Sequence, residues 1–195
     1  MITVPKSVLA YHTQPDVETA VDLLLASKKD TIPAALKWHE VSAFYRATLA
    51  ARQTPVEFAL FLETVWRAVW PVEPPLWKPC DASHPARPDL SIKISTVWEE
   101  RCFSRRYEYG DYSLELSVGL WSAEELQLGI LLYDKSETML LTEALMPGWV
   151  RSMEFDTVWT PETVITLGDQ ISATAFTRWT EQAWEAVRAA IVVDA

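Results

Sequence analysis

Two cysteines, three histidines and two acidic pairs are the residues of this chain from which catalysis or metal binding could be assembled. His39 and Glu40 begin in the manner of a zinc-protease helix, where two imidazoles one turn apart hold the metal and a glutamate activates water. Ala43 stands where the second imidazole is required, and the motif fails. Cys80, His84 and Cys102 supply at most three ligands for a tetrahedral zinc site, with no recognisable fourth. No metal and no cofactor are expected. A cysteine nucleophile with a histidine base is formally available, but any chain holding both residue types offers such a pairing. Glu99-Glu100 and Glu124-Glu125 bring glycosidase carboxylates to mind. Adjacent residues in extended structure point to opposite sides, so neither pair is placed to act on one bond, and solvation in loops accounts for them better.

Phosphate and nucleotide chemistry is equally unsupported. All five glycines lie between positions 110 and 168, so the first 109 residues contain no glycine-rich loop, and no Walker loop, dinucleotide fingerprint or Gly-x-Ser-x-Gly elbow occurs. No catalytic residue is assigned.

Charge is the most informative property. Residues 1–110 carry 13 acids and 13 bases, whereas residues 111–195 carry 14 acids and 4 bases, so the whole net charge of -10 resides in the second part. Such a field repels nucleic acid and acidic membranes and attracts basic partners. Within residues 111–162 ten acids face only Lys135 and Arg151. Glu115 alternates with a leucine face, and Glu154 and Asp156 alternate with Met153 and Phe155, so the three are expected on the outer side of strands, where a regular anionic array could oppose phosphate-gripping lysines and arginines. The competing account is a solvated face that protects a sheet edge from aggregation. Arg101, Arg105 and Arg106 precede this segment and are placed to neutralise Glu108 or Glu115 across the sheet. Trp77, Trp121, Trp149 and Trp159 lie beside prolines or turns, where an indole can anchor a partner, although core-edge packing explains large aromatics there at least as well. The candidate partner-binding set is therefore Glu115, Glu154, Asp156, Trp121, Trp149 and Trp159.

The elements that must position these residues divide by period. Val17, Val21, Leu24 and Leu25 give a first helix over 16–27; Ala34, Trp38, Val41, Tyr45 and Thr48 give a second, running to about Arg52. Thr54, Pro55 and Glu57 form a capping box that starts a third helix ending before Pro71. That helix is apolar almost all round, which requires central burial or a docked partner. Half of the twelve prolines lie between positions 71 and 88, marking an extended connector. From Ser91 the period falls to two: Ile92, Ile94 and Thr96, then Leu114, Leu116, Val118 and Leu120, then Leu126, Leu128, Ile130 and Leu132 alternate with polar or small residues. Tyr109-Gly110-Asp111-Tyr112 reads as a two-residue hairpin with a positive φ at the glycine. Further strands are expected near 139–143, 152–159 and 163–167. Phe176, Trp179, Ala183, Trp184, Val187, Ala190 and Ile191 form the stripe of a C-terminal helix that covers one sheet face.

The expected fold is α+β: N-terminal helices over 1–72, a proline-rich connector over 73–90, and over 91–195 an antiparallel β-meander of about six strands covered by a C-terminal helix, all in one compact unit. With 49% hydrophobic residues and ten tryptophans the composition is that of a folded protein. No window has the roughly 18 apolar residues of a membrane span, and the first residues lack a secretory pattern, which points to a cytoplasmic protein with free thiols. The functional expectation is a non-enzymatic acidic inhibitor or immunity-type protein that blocks a basic protein partner, itself a nucleic-acid binder of a defence, toxin or mobile-element system. The alternatives are a small enzyme whose site gathers scattered residues around Cys102, His84 or Arg105-Arg106, and an assembly subunit that docks through the apolar third helix.

Overall fold

A computed structural model describes residues 1–26, 37–70, 77–80, 94–152, 158–161 and 166–192, with Trp38, His39, Glu40 and Val192 described by backbone alone. The chain opens with strand β1 (Ile2–Thr3) and helices α1 (Lys6–Thr13) and α2 (Pro15–Ala26). Helix α3 (Trp38–Val69) follows, then β2 (Lys78–Pro79), a short helix α4 (Ile94–Glu100), and strands β3 (Cys102–Tyr109), β4 (Tyr112–Leu120) and β5 (Leu126–Tyr133). Strands β6 (Trp149–Arg151), β7 (Trp159–Pro161) and β8 (Gln170–Ile171) precede a 3-10 turn and helix α5 (Thr177–Val192). The fold is the expected α+β arrangement, with a six-stranded antiparallel sheet in the order β2-β3-β4-β5-β7-β6. A two-stranded ribbon of β1 and β8 ties the N-terminus to the segment before α5.

The β3-β4 hairpin closes at Gly110, whose φ of 58 is one that glycine adopts without steric cost, and Tyr109 pairs with Tyr112. Alternation then sorts the strands. Leu114, Leu116, Val118 and Leu120 of β4 and Leu126, Leu128, Ile130 and Leu132 of β5 are buried, facing a core that α3 supplies with Phe58, Leu62, Val65 and Trp66 and α5 with Ala183, Trp184 and Val187. Trp66 and Trp70 fasten helix to sheet: their indole N–H groups donate to the carbonyls of Leu116 and Ser117 at 2.8 and 2.9 Å. Glu63, buried on the same helix, accepts from Arg67 at 2.7 Å and from Arg105 of β3 at 3.0 Å. The charge is tolerated there because it is paired on two sides.

Local signals misplace two elements. The second and third expected helices are one helix that runs through Pro55. The expected capping box does not form: Thr54 donates its hydroxyl to the Ala50 carbonyl at 3.2 Å, and Glu57 accepts from Gln53 at 2.6 Å and from the Ser7 hydroxyl. Proline removes one backbone bond, but burial of Ala51 before it and Phe58 and Leu62 after it holds both halves in register. The expected strand at Ile94 and Thr96 is helix α4, which buries Val97 and sets Trp98 edge-on against Tyr11 and Phe58. Between 139 and 143 there is a single bridge, Tyr133 to Met139. Ile92 and most of the proline connector lie outside the described residues, as do positions 153–157 and 162–165 of the expected later strands.

Candidate partner-binding groove

The face of β3, β4 and β5 turned away from the helices is built in cross-strand rows. Cys102, Gly119 and Gln127 are aligned, as are Ser104, Ser117 and Gly129, and then Arg106, Glu115 and Leu131. Two adjacent rows of mostly small residues leave a trough along the middle of the sheet, a concavity of about 730 Å³ walled by Trp121, Leu131, Val158 and Thr160. Its depth depends on glycine: a Cβ on Gly129 would lie well inside contact distance of Ser117 Oγ and 3.0 Å from Val158 Cγ1, and one on Gly119 would meet the Trp121 ring at 3.3 Å.

Three carboxylates, Glu100, Glu115 and Glu125, line this trough. Glu115 is met by Arg106 at 3.4 Å, whereas Glu100 and Glu125 make no ion pair among the described residues. Each is positioned by a turn. Trp121 N–H donates to the Glu125 carbonyl at 3.3 Å, which brings Glu125 back beside the indole, and Leu167 N–H donates to the Ala123 carbonyl and pins the same turn. Arg101, with a φ of 51, carries the chain from α4 into β3 directly after Glu100. Its guanidinium lies 3.8 Å from the Trp98 ring centroid and donates to the Tyr11 hydroxyl at 2.6 Å. Tyr11 donates in turn to Asp22 at 3.0 Å. Burial is the main reason that the Tyr11 hydroxyl is pushed up to about 12, so it remains a proton donor at neutral pH. Trp121 Nε1 donates to Gln127 Oε1 at 3.3 Å and thereby holds the half-buried indole against Gly119.

Of the residues expected to bind a partner, Glu115 and Trp121 meet in this groove. Glu154 and Asp156 lie outside the described residues. Trp149 and Trp159 are not exposed anchors: they are 4% and 2% exposed and belong to the core. Trp149 is met edge-on by Trp179 of α5 at 6.1 Å, so the helix that covers the sheet also covers this edge indole. Trp77 is buried as well and packs on Tyr109 at 5.7 Å. The residues missed from sequence are Glu100 and Glu125, one from each acidic pair, together with the small floor. The available signal was the run of Ser117, Gly119 and Gly129 on the polar side of neighbouring strands, where bulky polar residues are the norm.

Enzyme chemistry finds little support in the same residues. Burial pushes the Cys102 thiol up to about 12, so it is uncharged at neutral pH and a poor nucleophile. Arg105 and Arg106 point to opposite faces, one to buried Glu63 and one to Glu115. His84 lies outside the described residues, and His12 is held down to about 4 by burial and by Arg101, which keeps it neutral. Cys80 and Cys102 are free thiols, and among the described residues no three or more His, Cys, Asp and Glu side chains converge on one point. No helix among the described residues is long and apolar enough to cross a membrane. The apolar side chains around residues 58–70 are enclosed within the chain, leaving Leu60 and Ala68 as the exposed exceptions.

The open sheet face of this α+β chain is grooved and carries three carboxylates beside a half-buried indole. No protein-family model, no curated protein and no solved structure matches this chain. The functional reading therefore rests on its own residues.

Proposed function

We propose that this chain is a non-enzymatic acidic inhibitor of the immunity type, which seats a basic protein partner on the open face of its sheet and blocks that partner's contact with nucleic acid. The observation that carries the reading is that Glu100, Glu115 and Glu125 line one trough together with Trp121. Carboxylates at the rim speed encounter with a positively charged surface and disfavour nucleic acid itself, while a partly buried indole supplies contact area at low entropic cost. A cytoplasmic location belongs to the same proposal.

The test uses the full chain as bait in extract from its native cell, beside a variant carrying Glu100→Gln, Glu115→Gln and Glu125→Gln. Wild type should retain a basic protein stoichiometrically at low salt and release it as salt screens the contacts beyond about 8 to 10 Å. The triple variant should lose that protein while its melting curve is unchanged. Retention of the same proteins by both baits, with the same salt dependence, would remove the acidic groove from the function.

A further inference from the structure

Each end of the groove has its own chemistry. In the register of β4 and β5, Trp121 and Glu125 follow the Gly119–Gln127 pair and are joined by the backbone bond from Trp121 N–H to the Glu125 carbonyl, while Glu100, the last residue of α4, stands two residues before Cys102, the partner of Gly119. The indole and both carboxylates line the trough. At the other end Glu115 is already neutralised by Arg106 at 3.4 Å. With about 6.6 Å between alternate residues of a strand, Trp121 and Glu115 lie roughly 20 Å apart, the span of about six extended residues. Between them the floor offers the rows of Ser104, Ser117 and Gly129 and of Cys102, Gly119 and Gln127, and the side chain of Gln127 is held by Trp121 at 3.3 Å.

We propose that the Glu100–Trp121–Glu125 end is the receptor for a single arginine side chain, presented by an extended segment of the basic partner lying along the trough. This inference rests on the acidic-binder reading above and specifies what that surface selects. Arginine is favoured over lysine because a planar guanidinium can stack on an indole while its separate N–H edges meet two carboxylates, whereas an ammonium group offers one compact charge. Glu100 and Glu125, which make no ion pair among the described residues, supply the charge complementarity. The pairing of Glu115 with Arg106 confines the cation to one end.

The experiment titrates three blocked pentapeptides, acetyl-Gly-Ser-X-Ser-Gly-amide with X as arginine, lysine or citrulline, into the nitrogen-15-labelled full chain. The readout is the indole N–H resonance of Trp121, assigned from its loss in Trp121→Phe. The arginine peptide should shift this signal saturably, the lysine peptide should bind several-fold more weakly, and the citrulline peptide, isosteric but uncharged, should leave it unmoved. Glu100→Gln with Glu125→Gln should weaken the arginine peptide by at least about 10-fold, the loss of one charge-assisted contact. Glu115→Gln should change it far less. Equal binding of the arginine and lysine peptides, or arginine binding indifferent to Glu100 and Glu125, overturns the inference. If the basic protein is still captured through the acidic face while no peptide moves Trp121, the arginine receptor is wrong and the acidic-binder reading survives. If neither the protein nor the peptides bind, both fall.

Discussion

The two faces of strand β4 share one backbone and differ in everything else. Leu114, Leu116, Val118 and Leu120 are completely enclosed between the sheet and its helices, while Ser113, Glu115 and Ser117 on the reverse are half-buried and line or adjoin the groove. One face contributes stability through large side chains packed without gaps. The other gives up that contribution, because small side chains and like charges bury little apolar area. The difference separates folding from recognition: substitutions on the helix side should act on stability, and those on the open side should act on binding.

The largest effect should come from the helix side. Trp66→Ala removes a ring that stacks on Tyr107, meets Phe103 edge-on and donates to Leu116, and should cost about 3 to 5 kcal/mol in denaturant unfolding. A cost near zero would erase the contrast between the faces. Glu63→Gln, on the same side, leaves half-buried Arg105 without its counter-charge and should cost roughly 3 kcal/mol, near the lower end for a broken buried pair. Measuring it beside Arg105→Met, which removes the other partner, separates loss of the pair from stranding of a charge.

Gly129→Val tests whether the open face is purely a recognition surface. Its side chain would collide with Ser117 and Val158, so it should cost about 1 to 3 kcal/mol and also fill the groove, the one open-face change expected to act on both properties. Acid sharpens the comparison from the other direction. Burial and Arg101 hold His12 at about 4, below its ordinary 6.5, so between those values the unfolded chain binds more protons than the folded one. Stability should therefore be level above about pH 6.5 and fall on acidification toward 4, and His12→Phe should flatten that slope in a melting series. The smallest stability effect belongs to Glu100→Gln with Glu125→Gln: both residues are exposed, and the pair should shift unfolding by less than about 0.5 kcal/mol while weakening the arginine peptide by at least about 10-fold. A large loss of stability would place these carboxylates among the structural residues.

Much of this architecture was legible because it depends on neighbours a few bonds apart. Alternation in residues 114–120 and 126–132 specified two strands and their buried faces, Gly110 specified the turn between them, and the stripe from Phe176 to Ala190 specified α5 and its inward side. The groove was legible only in part. Glu115 and Trp121 were named from pleat and position, but Glu100 and Glu125 were set aside because each was weighed against its adjacent acid and not against the other.

Composition and period by themselves determined the α+β class, the division of the sheet into an apolar and a polar side, and the concentration of negative charge after residue 110, since each follows from local backbone geometry or from residue count. Tertiary structure alone decided that α3 continues through Pro55, that Ile94–Glu100 is helical, that Trp149 and Trp159 are buried, and that Glu100, Trp121 and Glu125 line one trough. Those outcomes turn on which surface is available across the fold. A proline's lost hydrogen bond or a short ambiguous period is worth a few kcal/mol at most, and packing against partners distant in the chain outweighs it.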